Sequence, residues 1–356
     1  MLLQARTEEF YRKLVPELSR FSPGERFYST RELVRRFKIS YRVVAAVAER
    51  MEAEGLLVRR LRSGLYVHSA TPSRSVAFFY VDWPNQHVRR QVQLLKAALK
   101  QLGNYQFSAL SYRYQDNLLT QIKSCTADLI VLACPSREFS DEELILLIRN
   151  KTNIVVSDRD LRGISLNCFY LNAAYAAQMA LTLFRRHNHH TRLGVLLAEP
   201  PSGGALMLYQ NFLDAVPFRG CNAVPIACHT EDGDYSAEKA YEAMTAHLER
   251  FGLNFTALFI ISGGAASGVL RAFYEHEIKV PEQVNIIAFG NPEETRFLTP
   301  PIPTIADDEN EMARRKAAAI DHYLRSSEKI PFCVESKPVL YDHRKVTHQP
   351  AKGVSQ

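Results

Sequence analysis

From Phe27 to His68 the chain reads FYSTRELVRRFKISYRVVAAVAERMEAEGLLVRRLRSGLYVH, and its apolar residues change period partway along. Leu33, Val34 and Phe37 recur at helical spacing behind Ser29-Thr30, a pair suited to capping a helix N-terminus. After a break at Lys38-Ile39, Ser40 opens a second helix with an apolar face of Val43, Val44, Val47 and Met51. Gly55 ends that helix, because glycine takes positive φ at little cost. Two short strands, Leu57-Val58 and Leu65–Val67, flank the basic turn Arg59–Gly64. Upstream, residues 4–20 read as one amphipathic helix with Phe10, Leu14 and Leu18 on a face.

After a polar, proline-containing linker at 69–75 the pattern becomes strand alternating with helix. Strands are predicted at 76–81, 106–111, 128–133, 153–157, 193–197, 223–228, 257–261, 285–289 and 339–341. Helices are predicted at 88–102, 118–123, 141–149, 173–186, 206–216, 237–251, 266–276 and 309–325. Such alternation predicts parallel sheets covered on both faces. This many strands exceeds one comfortable sheet, so the fold class is α/β: an N-terminal winged helix-turn-helix and a two-lobed body with two parallel sheets. The expected divisions are 1–68 for the head, 76–342 for the body and 343–356 for a tail.

Charge sharpens the picture. The chain carries a formal net charge of +6. Residues 1–70 hold 14 basic and 8 acidic residues, a net of +6, so the remainder is balanced at 30 and 30. All the excess positive charge sits on the helix-turn-helix, which points to a polyanion there. A winged head places its second helix in the DNA major groove and its hairpin on the backbone or minor groove. The start MLLQARTEEF is not a secretory leader, and no run reaches the ~20 apolar residues of a membrane span. Six cysteines without C-x-x-C spacing suit reduced thiols, so a cytoplasmic protein is expected.

The Phe27–His68 stretch resembles a GntR-type DNA-binding domain. Ser29, Arg31, Leu33, Ser40, Val44, the run Glu54-Gly55-Leu56-Leu57 and Gly64-x-Tyr66-Val67 match its pattern. Tyr28, Thr30, Tyr41, Val43 and Ala45 stand where that family has Pro, Glu, Arg, Thr and Arg, so its usual operator is not expected. Residues 75–342 resemble a LacI/GalR-type sensor domain, related to periplasmic sugar-binding proteins. The pieces are IVVSDR at 154–159, HNHHTRLGVLL at 187–197, KVPEQVNIIAFGN at 279–291 and TPPIPTIADD at 299–308. This resemblance implies a first lobe of about 76–171 plus 303–326 and a second of about 172–302 plus 327–342. The combination is similar to arabinose-repressor-like regulators.

The expected DNA contacts are Ser29, Arg31, Arg35, Ser40, Tyr41, Arg42, Val44, Arg59, Arg60, Arg62 and Ser63. Tyr41, Arg42 and Val44 fall on the first turns of the recognition helix, and the arginines of the hairpin suit phosphates. Ligands of α/β sheets sit beyond the carboxyl ends of the strands. The candidate ligand residues are therefore Asp82, Trp83, Asn85, Ser136, Asp158, Arg159, Glu199, Ser202, Ser262 and Asn291. Two departures from the resembled family stand out: Leu208 replaces a ligand-gripping arginine, and Ser262-Gly263 replaces Asn-Asp.

His187, His189 and His190 read as a helix C-terminal group rather than a metal site. No nucleophile motif supports catalysis, and neither cofactor nor metal is expected. The expected function is a homodimeric transcription regulator, a repressor, on a pseudo-palindromic double-stranded DNA operator. A small polar effector, a sugar or derivative, would modulate it. The alternative is a body that has lost sensing and serves dimerisation or protein docking.

Overall fold

A computed structural model of the chain describes residues 2–53, 56–60, 63–67, 74–82, 86–103, 105–113, 116–133, 137–187, 192–201, 203–217, 220–231 and 233–343. It falls into two compact units that divide between Arg74 and Ser75, except that Tyr105-Gln106 group with the first.

The first unit contains α1 (Leu2–Leu14), α2 (Thr30–Phe37), α3 (Tyr41–Ala53), β1 (Leu57–Arg60) and β2 (Gly64–Val67). The single helix expected over 4–20 is instead α1 followed by a 3₁₀ segment, Val15–Arg20. Pro16 explains the break, since it has no amide hydrogen for the helical ladder. Ser29 and Glu32 close a reciprocal capping box at the start of α2. Lys38 stops that helix in the left-handed region at φ 53°. Strands β1 and β2 pair antiparallel, and Arg26 bridges Tyr66 beyond them. Phe10, Leu14, Phe27, Leu33, Val43, Val47, Met51, Leu57 and Leu65 form one core, drawn from every element.

The second unit holds two six-stranded sheets. The first is built from β3 (Arg74–Val81), β4 (Tyr105–Tyr112), β5 (Leu129–Ala133), β6 (Ile154–Ser157), β7 (Asn167–Leu171) and β13 (Cys333–Ser336), in the order β13-β7-β6-β5-β3-β4. The second is built from β8 (Arg192–Leu197), β9 (Asn222–Ala227), β10 (Ala257–Ile261), β11 (Asn285–Phe289), β12 (Thr304–Ala306) and β14 (Val339–Tyr341), in the order β14-β12-β11-β10-β8-β9. β5, β10 and their neighbours pair in parallel, and β14 runs antiparallel to β12. LIVLA in β5 and ALFII in β10 are buried along their whole length, as parallel strands covered on both faces must be. The covering helices are α4 (Gln86–Leu102), α5 (Leu118–Ser124), α6 (Asp141–Arg149), α7 (Ala173–His187), α8 (Gly203–Ala215), α9 (Ser236–Phe251), α10 (Ala266–Glu275), α11 (Pro292–Thr295) and α12 (Glu309–Arg325).

The crossings between sheets differ from the expected lobe boundaries. Thr304–Ala306 lies in the second sheet, not the first, and Cys333–Ser336 lies in the first, not the second. The chain therefore crosses at Asn172, between β12 and α12, and between β13 and β14. The reason is local pairing: β12 continues the parallel ladder of β11, and β13 adds to β7 in register, Cys333 opposite Cys168. The three crossings are joined by side chains. Asn172 Nδ2 donates to Glu335 Oε1 at 2.6 Å, and Ser336 Oγ donates to Asp307 at 2.7 Å.

Tight backbone approaches fix the helices. A Cβ on Gly268 of α10 would stand 1.8 Å from the carbonyl oxygen of Ala237 at the start of α9. Alanine is the better helix former by about 1 kcal/mol, but overpacking against a backbone carbonyl costs more, about 1–3 kcal/mol or above. Gly268→Ala should therefore lower the urea midpoint of the full chain despite its helix propensity; a raised midpoint would refute this packing.

Candidate functional site

Two surfaces carry chemistry. In the first unit, Arg31, Arg35, Tyr41 and Arg42 are all exposed, with Tyr41 at 66%. The three arginines make no salt bridge among the described residues. A cavity of about 600 Å³ is lined by Arg26, Tyr28, Ser29, Arg31 and Arg35 beside the start of α2. Ser40, also exposed, gives its carbonyl to the amides of Val43 and Val44 and so opens α3.

Other expected contacts have different duties. Val44 is fully buried in the core of the unit and does not face outward, a correction that follows from its place on the apolar face of α3. Ser29 spends its hydroxyl on the amide of Glu32. The Glu32 carboxyl in turn accepts from the Ser29 backbone amide at 2.7 Å, and this bond chiefly holds it below the usual range. Arg59 is clamped by both oxygens of Glu52, which compensates its charge. Arg60 lies over the Tyr66 ring at 4.2 Å, and Ser63 bonds the Tyr66 hydroxyl. Arg62 lies outside the described residues.

In the second unit a cavity of about 370 Å³ opens between the two sheets, within the usual size range of small-molecule sites. Of the expected ligand residues, Asp158, Glu199, Ser262 and Asn291 line it. They come from both sheets: Asp158 follows β6, Glu199 follows β8, Ser262 follows β10 and Asn291 follows β11. Asp82 and Arg159 do not line it. Asp82 is exposed, its amide bound to the Tyr112 carbonyl. Arg159 is turned into the protein, onto Glu138, the Arg137 carbonyl and the Phe139 ring. Its guanidinium was expected at the ligand because it follows a strand end, but its bonds to the exposed Glu138 carboxylate and the Arg137 carbonyl hold it away. Trp83, Asn85, Ser136 and Ser202 lie outside the described residues, as do His189 and His190.

The wall also includes side chains that the strand-end rule missed. His87, Gln91 and Leu94 come from α4, and Glu309, Met312 and Lys316 from α12. Their signal was present as polar residues three or four apart on otherwise apolar helix faces. His87 Nδ1 lies 3.0 Å from Glu309 Oε1, and its Nε2 lies 2.8 Å from Gln91 Nε2. Because Gln91 Nε2 can only donate, the consistent tautomer carries its proton on Nδ1. Burial alone would raise the Glu309 carboxyl, but His87 and Arg90 outweigh it and hold it low.

Two carboxyls are shifted the other way. Burial pushes Glu199 up, against the opposing pull of the Ser262 and Ser236 hydroxyls, the latter at 3.1 Å. Burial likewise raises Asp307, although Ser336 and Lys316 favour its charge. The two departures noted in the sequence have structural grounds. Leu208 is fully buried in the core under the second sheet. A Cβ at position 263 would sit 2.1 Å from the Gly290 carbonyl, so no side chain fits there. Ser262 takes φ +128°, a strained value at the cavity edge.

Residues 184–342 match the family of periplasmic binding protein-like domains. Among curated relatives, the HTH-type transcriptional regulator GalR of Escherichia coli is 27% identical over 174 residues, covering 49% of this chain and 50% of that protein. The HTH-type transcriptional repressor PurR of Pasteurella multocida is 26% identical over 157 residues, covering 44% and 46%. The chain thus spans about half the length of the curated relatives it matches. Among solved structures, a complex of the transcriptional regulator CelR with cellobiose superposes with a TM-score of 0.63 at 17% identity, covering 85% of this chain and 90% of that one. Over residues 184–342 the body is thus similar to periplasmic binding protein-like domains, and about half of the chain is similar to the regulators GalR and PurR. These matches lend no support to a GntR-type head; a LacI-type helix-turn-helix would be expected from them. No helix among the described residues is long and apolar enough to cross a membrane.

The raised Glu199 carboxyl has a pH consequence. The folded state holds this proton more tightly than the unfolded chain, so stability falls as pH rises from about 4.3 through the raised folded value, then levels off. Glu199→Gln removes that loss. Its unfolding midpoint should exceed the wild type's at neutral pH and converge with it near pH 4, roughly the unperturbed carboxylate value. Parallel midpoint curves for the two proteins would refute the shift.

Proposed function

We propose that the chain is a DNA-binding transcription regulator whose operator affinity responds to a small, neutral, polyhydroxylated ligand in the cavity between the sheets. The observation that carries the ligand class is the charge of the wall. Four carboxyl side chains, Asp158, Glu199, Asp307 and Glu309, line it against one lysine, Lys316, and no arginine is among its described residues. Carboxylates accept hydrogen bonds from hydroxyls, and Phe78, Phe169 and Phe289 offer apolar surface for the carbon skeleton of a sugar. A phosphate or carboxylate ligand would meet like charge in a low-dielectric space and be disfavoured.

The head reads best as a GntR-type winged helix-turn-helix. Its support is the β1–β2 hairpin after α3, with Arg26 as a third short edge. In a homodimer, two α3 helices would address the halves of a pseudo-palindromic operator, with Arg31, Arg35, Ser40, Tyr41 and Arg42 toward the DNA. The expected mode is repression, relieved or reinforced according to which arrangement of the lobes the ligand binds better.

Two measurements decide the reading. A thermal-shift screen of the full chain should show midpoint increases with neutral sugars and none with sugar phosphates or purines. If every compound is silent while DNA binding persists, the body is a dimerisation or docking module instead. For the head, duplexes selected from a random pool should bind Arg42→Ala about 10-fold or more weakly, corresponding to the ~1–3 kcal/mol of a base-reading side chain. Unchanged affinity at moderate salt would remove α3 from the interface.

A further inference from the structure

We infer that Cys168 and Cys333 form a reversible redox pair, oxidised by a hydroperoxide to a disulfide that fastens β13 to β7. The two residues are direct register partners on adjacent parallel strands. Such partners have Cα atoms about 4.8 Å apart, inside the ~4.4–6.8 Å that a disulfide spans. Their sulfurs already lie 3.4 Å from one another. Of the cysteines among the described residues, Cys333 is the exposed one and Cys168 is completely buried.

This asymmetry assigns the order of events. Burial pushes the Cys168 thiol up to about 12, so it stays protonated and out of reach of solvent oxidants. Cys333 sits on the edge strand of its sheet, open to solvent. The Cys333 thiol gives up its proton, and the thiolate attacks the O–O bond of the hydroperoxide. An S–O bond forms, the O–O bond breaks, and the leaving oxygen takes up a proton. The Cys168 sulfur then attacks the sulfenic sulfur of Cys333: an S–S bond forms, the S–O bond breaks, and the oxygen leaves as water with the Cys168 proton. Two thiols and one hydrogen peroxide give one disulfide and two waters. A thiol reductant reverses the change.

The site matters because of the strand it fastens. β13 carries Glu335 and Ser336, which bond to Asn172 and Asp307 at the other two crossings, and Val334 and Ser336 line the cavity. Neither the pairing nor the chemistry depends on what the cavity binds.

The test uses the full reduced chain exposed to a small excess of hydrogen peroxide, alkylated, and digested without reductant. The expected product is a linked peptide pair containing Cys168 and Cys333, two hydrogens lighter than the separate peptides and released by dithiothreitol. Cys333→Ser, at an exposed position, should fold normally, give no linked pair, and leave Cys168 unoxidised. Recovery of Cys333 as sulfinic or sulfonic acid beside a free Cys168 would overturn the proposal. A bridge between two copies through Cys333 would overturn it equally.

Discussion

The body depends on how its three crossings are held together. Asn172, Asp307 and the Glu335-Ser336 pair each sit where the chain leaves one sheet for the other. Two hydrogen bonds, Asn172 to Glu335 and Ser336 to Asp307, bind these segments into one bundle at the side of the cavity. Parallel sheets buried on both faces leave polar groups room only at their ends. The crossings bring the ends of two sheets together, so the polar groups of both meet in one space. The acidic wall follows from this arrangement. Asp307 is both a crossing residue and a lining residue, and so is Ser336. Anything that occupied the cavity against either one would therefore touch a crossing segment directly.

Much of this was legible in the sequence, for reasons that vary by element. The head could be read because its apolar period shifts sharply and its caps are explicit: of the Ser29-Thr30 pair read as a cap, Ser29 caps α2, and the structure adds Glu32 to it as a capping box. β5 and β10 announce themselves as uninterrupted apolar runs. Three strands were missed: β7, whose NCFYL is buried over its first four residues, and β12 and β13, which have no such pattern. β12 is three residues long and follows a proline-rich stretch, and β13 reads CVES with one fully apolar position facing the core. Nothing local marks them as strands; only the ladders beside them do. The lobe boundaries went astray for that same reason.

The site was half legible. Strand-end logic found Asp158, Glu199, Ser262 and Asn291, because parallel topology puts those turns at one edge. It failed for Arg159, where a neighbouring carboxylate and the Phe139 ring draw the side chain inward. It also passed over α4 and α12, since which face of a helix meets a cavity depends on how the helix is seated on its sheet. Val44 shows the same limit in the head: its place in a motif said contact, and its place on the apolar face of α3 said core.

The approach of Gly263 to the Gly290 carbonyl reaches beyond the present molecule. Position 263 is shut to every side chain unless the loop after β11 is rebuilt as well, which takes more than one substitution. Descendants of this chain therefore cannot place an acidic side chain there by a single step. Their accessible changes lie at Glu199, Asp158 and the cavity-facing positions of α4 and α12. One backbone oxygen thus narrows the routes by which this lineage can reshape the wall of the cavity.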